Sequence, residues 1–322
     1  MQRVLAFYKF HPLNQLAERC EQLHALCAAN RIKGTILLAE EGVNGTVVGE
    51  PAALVTLADT LTQLVGEIPF KWSDLADNNP GFHRLKVRIK PEIVSFGVAG
   101  LDLDNNGEHV SAEQWNHLLQ DPDVVVIDTR NTYEIDIGTF PGAVSPQTTN
   151  FREFPDWVAQ NLDPAKHPKV AMFCTGGIRC EKASAHMLAE GFEQVYQLDG
   201  GILQYLEDVS EEENCWQGEC FVFDQRVSVN NQLTQGQYQQ CYACRHPLSV
   251  ADLQSAEYEQ GVSCPYCVAD GDVDPSRAAR LRQRNKQVKL AQARGEQHIG
   301  QTQAQHLDQS AKQTLGPVKQ PD

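Results

Sequence analysis

The sequence predicts a multidomain protein of mixed α/β and α+β class, on three observations. Strand and helix signals run β-α-β-β-α-β over residues 1–95, and short apolar strands alternate with helices over 111–209. Six of the ten cysteines crowd into 210–270. A length of 322 residues allows about two or three domains of roughly 100–200 residues. Hydrophobic content of 41% and charged content of 21% fit a folded chain rather than a disordered one.

The first segment, 1–95, opens with a strand at 3–10 and an amphipathic helix at 13–29, where Leu16, Cys20, Leu23 and Cys27 recur at helical spacing. Cys20 and Cys27, seven apart on one helix face, read as core. Strands at 35–39 and 45–49 follow, joined around Val43-Asn44-Gly45, a turn signal. A helix at 51–65 and a strand at 82–94 complete a ferredoxin-like sandwich, two helices covering one face of an antiparallel sheet. In the last strand Leu85, Val87 and Ile89 alternate with Arg84, Lys86, Arg88 and Lys90. Alternate residues face opposite sides of a strand, so one side is apolar and the other carries four cations. These cations form either a solvated face or a ridge for nucleic-acid phosphates.

Residues 96–110, with Gly97 and Gly100, read as a linker. The second domain, 111–209, has predicted helices at 111–120, 151–161, 178–190 and 201–208. Its strands fall at 123–127, 169–173 and 194–198. Apolar strands separated by helices imply a parallel sheet covered on both faces.

Cys174 ends the strand at 169–173 and opens the run Thr175-Gly176-Gly177-Ile178-Arg179-Cys180. Two glycines let successive N–H groups turn toward the sulfur at a helix start, a nest that favours an anion. A thiol of pKa near ~8.5 is only about 3% ionised at neutral pH, and a fall of roughly two units makes it mostly thiolate. Arg179 adds a fixed cation. The alternative is a buried cysteine at a strand end. Cys180 either resolves an oxidised sulfur or only packs.

Asp128-Thr129-Arg130, Tyr133-Glu134, Gly138 and Pro141-Gly142-Ala143 resemble the early motif of rhodanese domains, as does Asp199-Gly200-Gly201 after the cysteine loop. That resemblance implies that Asp128 and Arg130 brace the loop. Sulfur-handling rhodaneses place four residues between cysteine and arginine, the related phosphatases five; Thr175 to Ile178 is four. Taken together, the segments 33–47, 82–94, 174–183 and 218–229 resemble the rhodanese-domain tRNA uridine hydroxylases. Members of that family use molecular oxygen to make 5-hydroxyuridine at the wobble position. The resemblance runs from the first strand to about residue 270 and implies that Cys174 is the essential loop cysteine. It further implies tRNA as partner and oxygen as co-substrate. The competing reading is a sulfurtransferase carrying a persulfide on Cys174; a third is a non-enzymatic RNA-binding scaffold. No Gly-x-Gly-x-x-Gly and no two-His-one-carboxylate pattern is recognisable, so no nucleotide cofactor is expected and oxygen activation has no visible residue set.

Cys241-x2-Cys244 and Cys264-x2-Cys267 form a strong zinc pattern in the predicted 210–270 module. Four thiolates give a closed, structural site; four unliganded thiols or an iron centre are the alternatives. Cys215 and Cys220 flank Trp216, and a bond between them is not expected. Residues 271–322 form a basic, Gln-rich tail. Seven cations and no acids lie from Arg277 to Arg294; this stretch suits a helix with too little apolar surface to dock, and disorder is expected from about 295. Net charge is −15, yet it divides into −21 over 1–274 and +6 over 275–322, so local basic surface remains for nucleic acid. The N-terminus lacks a signal-peptide layout, and no apolar run nears the ~18 residues of a membrane span, which predicts a cytoplasmic protein with reduced thiols.

Overall fold

The computed structural model describes residues 2–75, 79, 81–269, 271 and 274–295. Two compact units divide the chain, Met1–Gly236 and Gln237–Asp322. Among the described residues no helix is long and apolar enough to cross a membrane.

The first unit begins with β1 (Arg3–Phe10), α1 (Leu16–Ala29), β2 (Lys33–Ala39), β3 (Gly42–Gly49), α2 (Pro51–Val65), β4 (Lys71–Asp74) and β5 (Leu85–Ile89). Pro51 stands in the first turn of α2, where its missing N–H costs nothing. The sheet order is β4-β1-β3-β2-β5. Its first four strands are mutually antiparallel, as expected for a ferredoxin-like sandwich. Leu23 and Cys27 from α1 and Leu54, Leu57 and Leu61 from α2 pack on Leu5, Phe7, Ile36, Leu38 and Val47. Cys20 is half-buried against the same core.

Two expectations for this domain need correction. The hairpin between β2 and β3 turns at Glu40-Glu41, and Asn44-Gly45 lies inside β3. Gly45 is required there because an added Cβ would come within 2.6 Å of the Phe7 ring, and Asn44 Nδ2 donates to the Ile93 carbonyl at 2.9 Å. The fourth strand of the sandwich is β4, not 82–94. The basic segment forms a fifth strand, shorter than expected, parallel to β2 on the opposite edge. Leu85 and Val87 pack on the helix side, while Ile89 is 45% exposed.

The second half of the unit contains β6 (Glu108–Val110), α3 (Ala112–Gln120), β7 (Val124–Asp128), α4 (Thr132–Ile135), β8 (Gly138–Thr139), α5 (Phe154–Asn161), β9 (Lys169–Phe173), α6 (Ile178–Ala189), β10 (Gln194–Leu198) and α7 (Gly201–Asp208). Ser111 and Gln114 close a reciprocal capping box at the start of α3. The sheet, β6-β10-β9-β7, is parallel throughout. Along β9, Ala171 and Phe173 enter a core with Trp115, Phe140 and Tyr205, whereas Val170, Met172 and Cys174 enter one with Ile127, Met187 and Phe154. Alternation with both faces buried explains the unbroken apolar run and aims Cys174 toward α6.

The segment expected to be a linker is instead structural. Phe96 is buried against Phe151 and Phe154, and 108–110 forms the edge strand β6. The boundary expected at 210 falls at 236. β11 (Gln217–Gly218) pairs with β8, and β12 (Cys220–Phe221) pairs with β13 (Ser228–Val229). Trp216, Cys220, Val222 and Val229 belong to the same core as Phe140.

The second unit comprises β14 (Gln239–Gln240), β15 (Pro247–Leu248), α8 (Val250–Gln254), α9 (Pro265–Ala269) and α10 (Asp274–Ala293). The expected basic helix is therefore present, but it docks, contrary to expectation. Arg280 Nε donates to the Val262 carbonyl at 2.6 Å, Arg284 donates to the Gln260 carbonyl at 3.1 Å, and both Arg277 and Arg284 reach Glu259. The tail from 296 onward, expected to be disordered, lies outside the described residues.

Candidate active site and cysteine cluster

Cys174 is fully buried where β9 ends, and Gly177 N donates to its sulfur at 3.1 Å. Gly177 takes φ +99°, a backbone state that glycine adopts readily, and it caps α6. Gly201 supports the loop from below. A Cβ there would stand 2.5 Å from the Cys174 carbonyl and 2.9 Å from Gly176 N. The start of α7 closes the cradle, Ile202 N donating to the Cys174 carbonyl at 3.0 Å and Leu203 N to that of Thr175 at 3.1 Å.

Burial alone would push the Cys174 thiol up. The Cys180 thiol, the Arg179 guanidinium and the N–H groups of Arg179 and Gly177 outweigh that cost and bring it down to about 5. Cys180 moves the opposite way, raised by burial and by its hydrogen bond to Cys174. Its sulfur also lies 3.8 Å from Thr129 Oγ1. The lower-pKa member of the pair is the one in the glycine loop.

Arg179 is not a free cation. It forms a two-pronged pair with Glu134 at 2.6 and 2.9 Å and approaches Thr175 Oγ1 at 3.5 Å. Burial raises Glu134, but Arg179 more than reverses this and holds the carboxyl below its usual range. Asp128 and Arg130 form a second buried pair at 2.6 and 2.8 Å. Arg130 also donates to the carbonyls of Glu134 and Gly138 at 3.1 and 2.6 Å. Asp128, Arg130, Glu134 and Arg179 thus form one continuous polar support. Ile178 opens α6, half-buried, next to Gly176 and Gly177. Glu134 was missed as a site residue; its signal was the Asn131–Glu134 capping box that starts α4.

The ferredoxin-like domain also reaches the loop. Tyr8 Oη would lie 2.7 Å from a Cβ on Gly177, and it donates to Glu181 Oε1 at 3.0 Å. Lys71 Nζ donates to the Gly200 carbonyl. Lys182, on α6, is buried between Glu41 at 2.8 Å and Glu92 at 2.7 Å. No local pattern marked Tyr8, Lys71 or Glu181, because their partners are distant in sequence. Arg84, Arg88 and Lys90 are exposed and Lys86 half-buried.

In the second unit, the sulfurs of Cys241, Cys244, Cys264 and Cys267 lie within 4.8 Å of one another. Cys241–Cys267, Cys244–Cys264 and Cys264–Cys267 are 3.8, 3.6 and 3.7 Å apart. Four thiolates about 2.3 Å from a tetrahedral ion have edges of about 3.8 Å, so the four cysteines are positioned to bind a metal ion and are compatible with zinc. His246, two residues past the first CxxC pair, stacks on Tyr266, inside the second, at 4.4 Å. Among the described residues no disulfide forms, and Cys215 and Cys220 remain separate thiols.

Residues 2–93 match the family model described as the UPF0176 acylphosphatase like domain, and 111–208 match the rhodanese-like domain. Similar solved structures include a protein of unknown function from Rhodopseudomonas palustris, described as a possible tyrosine phosphatase. It is 22% identical, with 33% of this chain and 83% of that one covered, at a TM-score of 0.29. A rhodanese-like domain from Anabaena sp. is 18% identical, covering 34% and 78%, at 0.28. A rhodanese-related protein from Thermoplasma volcanium is 20% identical, covering 31% and 92%, at 0.26. These likenesses carry no statement about activity.

Proposed function

The chain belongs to the UPF0176 family, with an acylphosphatase-like domain followed by a rhodanese-like domain, and on that premise we propose that it is a tRNA-modifying oxygenase. It hydroxylates the wobble uridine to 5-hydroxyuridine, with molecular oxygen as co-substrate and Cys174 as the reacting residue. The observation that carries this reading is a fully enclosed cysteine held near pKa 5 by a glycine nest and a paired arginine, within that domain architecture. Arg179 holds the thiolate, while Asp128, Arg130 and Glu134 hold Arg179 and the strand beneath it. Arg84, Lys86, Arg88 and Lys90 contact tRNA phosphates. Cys241, Cys244, Cys264 and Cys267 would hold a structural zinc, all four of its ligands coming from thiolates, and it would tie the two CxxC pairs together.

Deleting the protein, together with any redundant route to the same nucleoside, tests this directly. Total tRNA nucleosides should lose 5-hydroxyuridine and its derivatives while thiolated uridines stay constant. Wild type should restore the product only with oxygen present, and heavy dioxygen should label the new hydroxyl. Cys174→Ser should fold and bind tRNA without restoring it, because the serine hydroxyl is a far weaker nucleophile. Lost thiolation with unchanged hydroxylation would sink the reading in favour of sulfur transfer.

A further inference from the structure

Apolar side chains standing singly on a surface are ordinary, so an exposed ring carries meaning only where the fold holds it out. Among the described residues Phe223 is the only Phe, Tyr or Trp that is exposed, at 55%. Its apolar neighbours Phe221, Val222 and Val227 are all buried.

The hairpin that carries it is braced on every side. Phe223 lies in the turn between β12 and β13, where Val222 N donates to the Val227 carbonyl at 2.9 Å and Val227 N to the Asp224 carbonyl at 3.1 Å. Asp224 and Arg226 form a buried, two-pronged pair at 2.6 and 2.9 Å. Arg226 Nη1 also donates to Ser73 Oγ on β4 at 3.0 Å. Val227 takes φ +66°, a left-handed state that a β-branched residue adopts only under constraint. Burying two charges and straining a valine to keep a phenyl ring in water runs against the ordinary direction of folding. Strain of this kind gathers at working loops.

The two sides of the hairpin indicate the ligand. On one side Phe223 meets Phe221 at 5.2 Å and 79°, and Phe221 meets Tyr133 at 5.2 Å and 76°. Tyr133 immediately precedes Glu134, the partner of Arg179. On the other side Gln225 N donates to the Gly81 carbonyl at 2.9 Å, three residues before Arg84 and so within ~11 Å of extended chain. A Cβ on Gly81 would stand 2.5 Å from Val48, and Val48 faces away from the helices that Val47 packs on. Leu85 and Val87 also face those helices, so Lys86 and Arg88 share the opposite side of the sheet with Gly81. An aromatic ring beside a row of cations suits a single strand of nucleic acid, its base on the ring and its phosphates on the cations. One ring matches one base, whereas a stable protein interface buries at least ~1,200 Å².

We propose that Phe223 is a stacking platform for one unpaired base of the substrate RNA, on a hairpin fastened both to the turn that carries Glu134 and to the chain that leads into the cationic strand β5. It is a positioning residue. It orients the RNA strand and does not touch the reacting sulfur.

The platform rests on RNA being the substrate of the proposed function, and the test reads binding and product separately. The probes are a synthetic anticodon stem-loop with uridine at the wobble position and a fully paired RNA duplex of equal length, whose bases offer no free face. Phe223→Ala should weaken stem-loop binding about 10-fold, within the range of one base–aromatic stack. Its duplex affinity and the salt dependence of its binding should match wild type, since no phosphate contact is lost. Phe223→Trp should keep wild-type affinity, and its added indole emission should be quenched by the stem-loop and not by the duplex. Equal stem-loop affinity in wild type and Phe223→Ala would overturn the platform. So would equal weakening on both RNAs, which marks damage to the fold, or a wild-type dimer that Phe223→Ala renders monomeric, which marks contact between copies. A wild type that binds as expected but forms no 5-hydroxyuridine rejects the hydroxylase reading and leaves the platform standing. Product formed with an affinity indifferent to Phe223 overturns the platform alone.

Discussion

At the scale of single residues, the molecule stabilises one thiolate by sinking four other charges, in two pairs, beside it. Arg179 is buried with Glu134, and Arg130 with Asp128, so removing either carboxylate would leave an uncompensated cation in the interior. The thiolate itself ties stability to pH. Its folded pKa of about 5 lies below the ~8.5 of a free thiol, so the unfolded chain binds more protons between those values. The contribution is complete above the unfolded value and is lost as pH falls through the folded one. Stability of wild type relative to Cys174→Ser should therefore rise with pH from about 5 to about 8.5, by at most ~1.4 kcal/mol per unit. Denaturant titrations at several pH values check this, and parallel curves for the two proteins would remove the thiolate from the account. Cys174, its glycines and Arg179 were legible in the sequence because a nest is local. The pairing of Glu134 with Arg179 and that of Tyr8 with Glu181 were not, since these partners lie 45 and 173 residues apart.

At the scale of elements, strand periodicity was legible but strand neighbours were not. The alternation at 84–90 marks a strand with one cationic side, and that side remains whichever edge the strand joins. Its place was set by β4, only four residues long and without an apolar alternation, which takes the edge beside β1 and leaves β5 to add to β2. Asn44-Gly45 misled for a similar reason. A glycine needed for close packing on Phe7 looks, locally, like one needed for a turn. On the observed edge, Arg84, Arg88 and Lys90 stand exposed, which is what phosphate contact requires. Four such contacts give a log–log dependence of tRNA affinity on salt of roughly −3 to −4, and replacing Arg84 and Arg88 with Gln should make it shallower by about 1.5. An unchanged slope in a folded variant would return the strand to a solvated face. The seven cations of 277–294 need the same substitution, although Arg277, Arg280 and Arg284 already have partners.

At the scale of the whole molecule, the two units rest on different sources of stability. The first buries two sheets and their helices, and it draws in 210–236 because Trp216 and Cys220 fill its apolar core. Composition placed that stretch with the other cysteines, since counting cysteines cannot distinguish a packed thiol from a ligand. The second unit has only a small core, in which Leu248 joins the cysteines themselves. A segment of this size gains little from apolar burial, whereas a structural zinc contributes ~10–16 kcal/mol. The anchors of α10 at Glu259, Gln260 and Val262 lie between the two CxxC pairs, so the helix depends on the same cluster. Stripping the metal with a strong chelator should therefore expose four additional reactive thiols and collapse amide protection across 239–293. Protection in β1–β10, and the thiolate at Cys174, should persist. The expected pattern is two separate transitions on heating, of which only that of 239–293 moves with metal. Metal-free protein that keeps full protection over 239–269 would show that the thiols pack without an ion. Simultaneous loss in both units would show that the metal stabilises the whole chain rather than its C-terminal part.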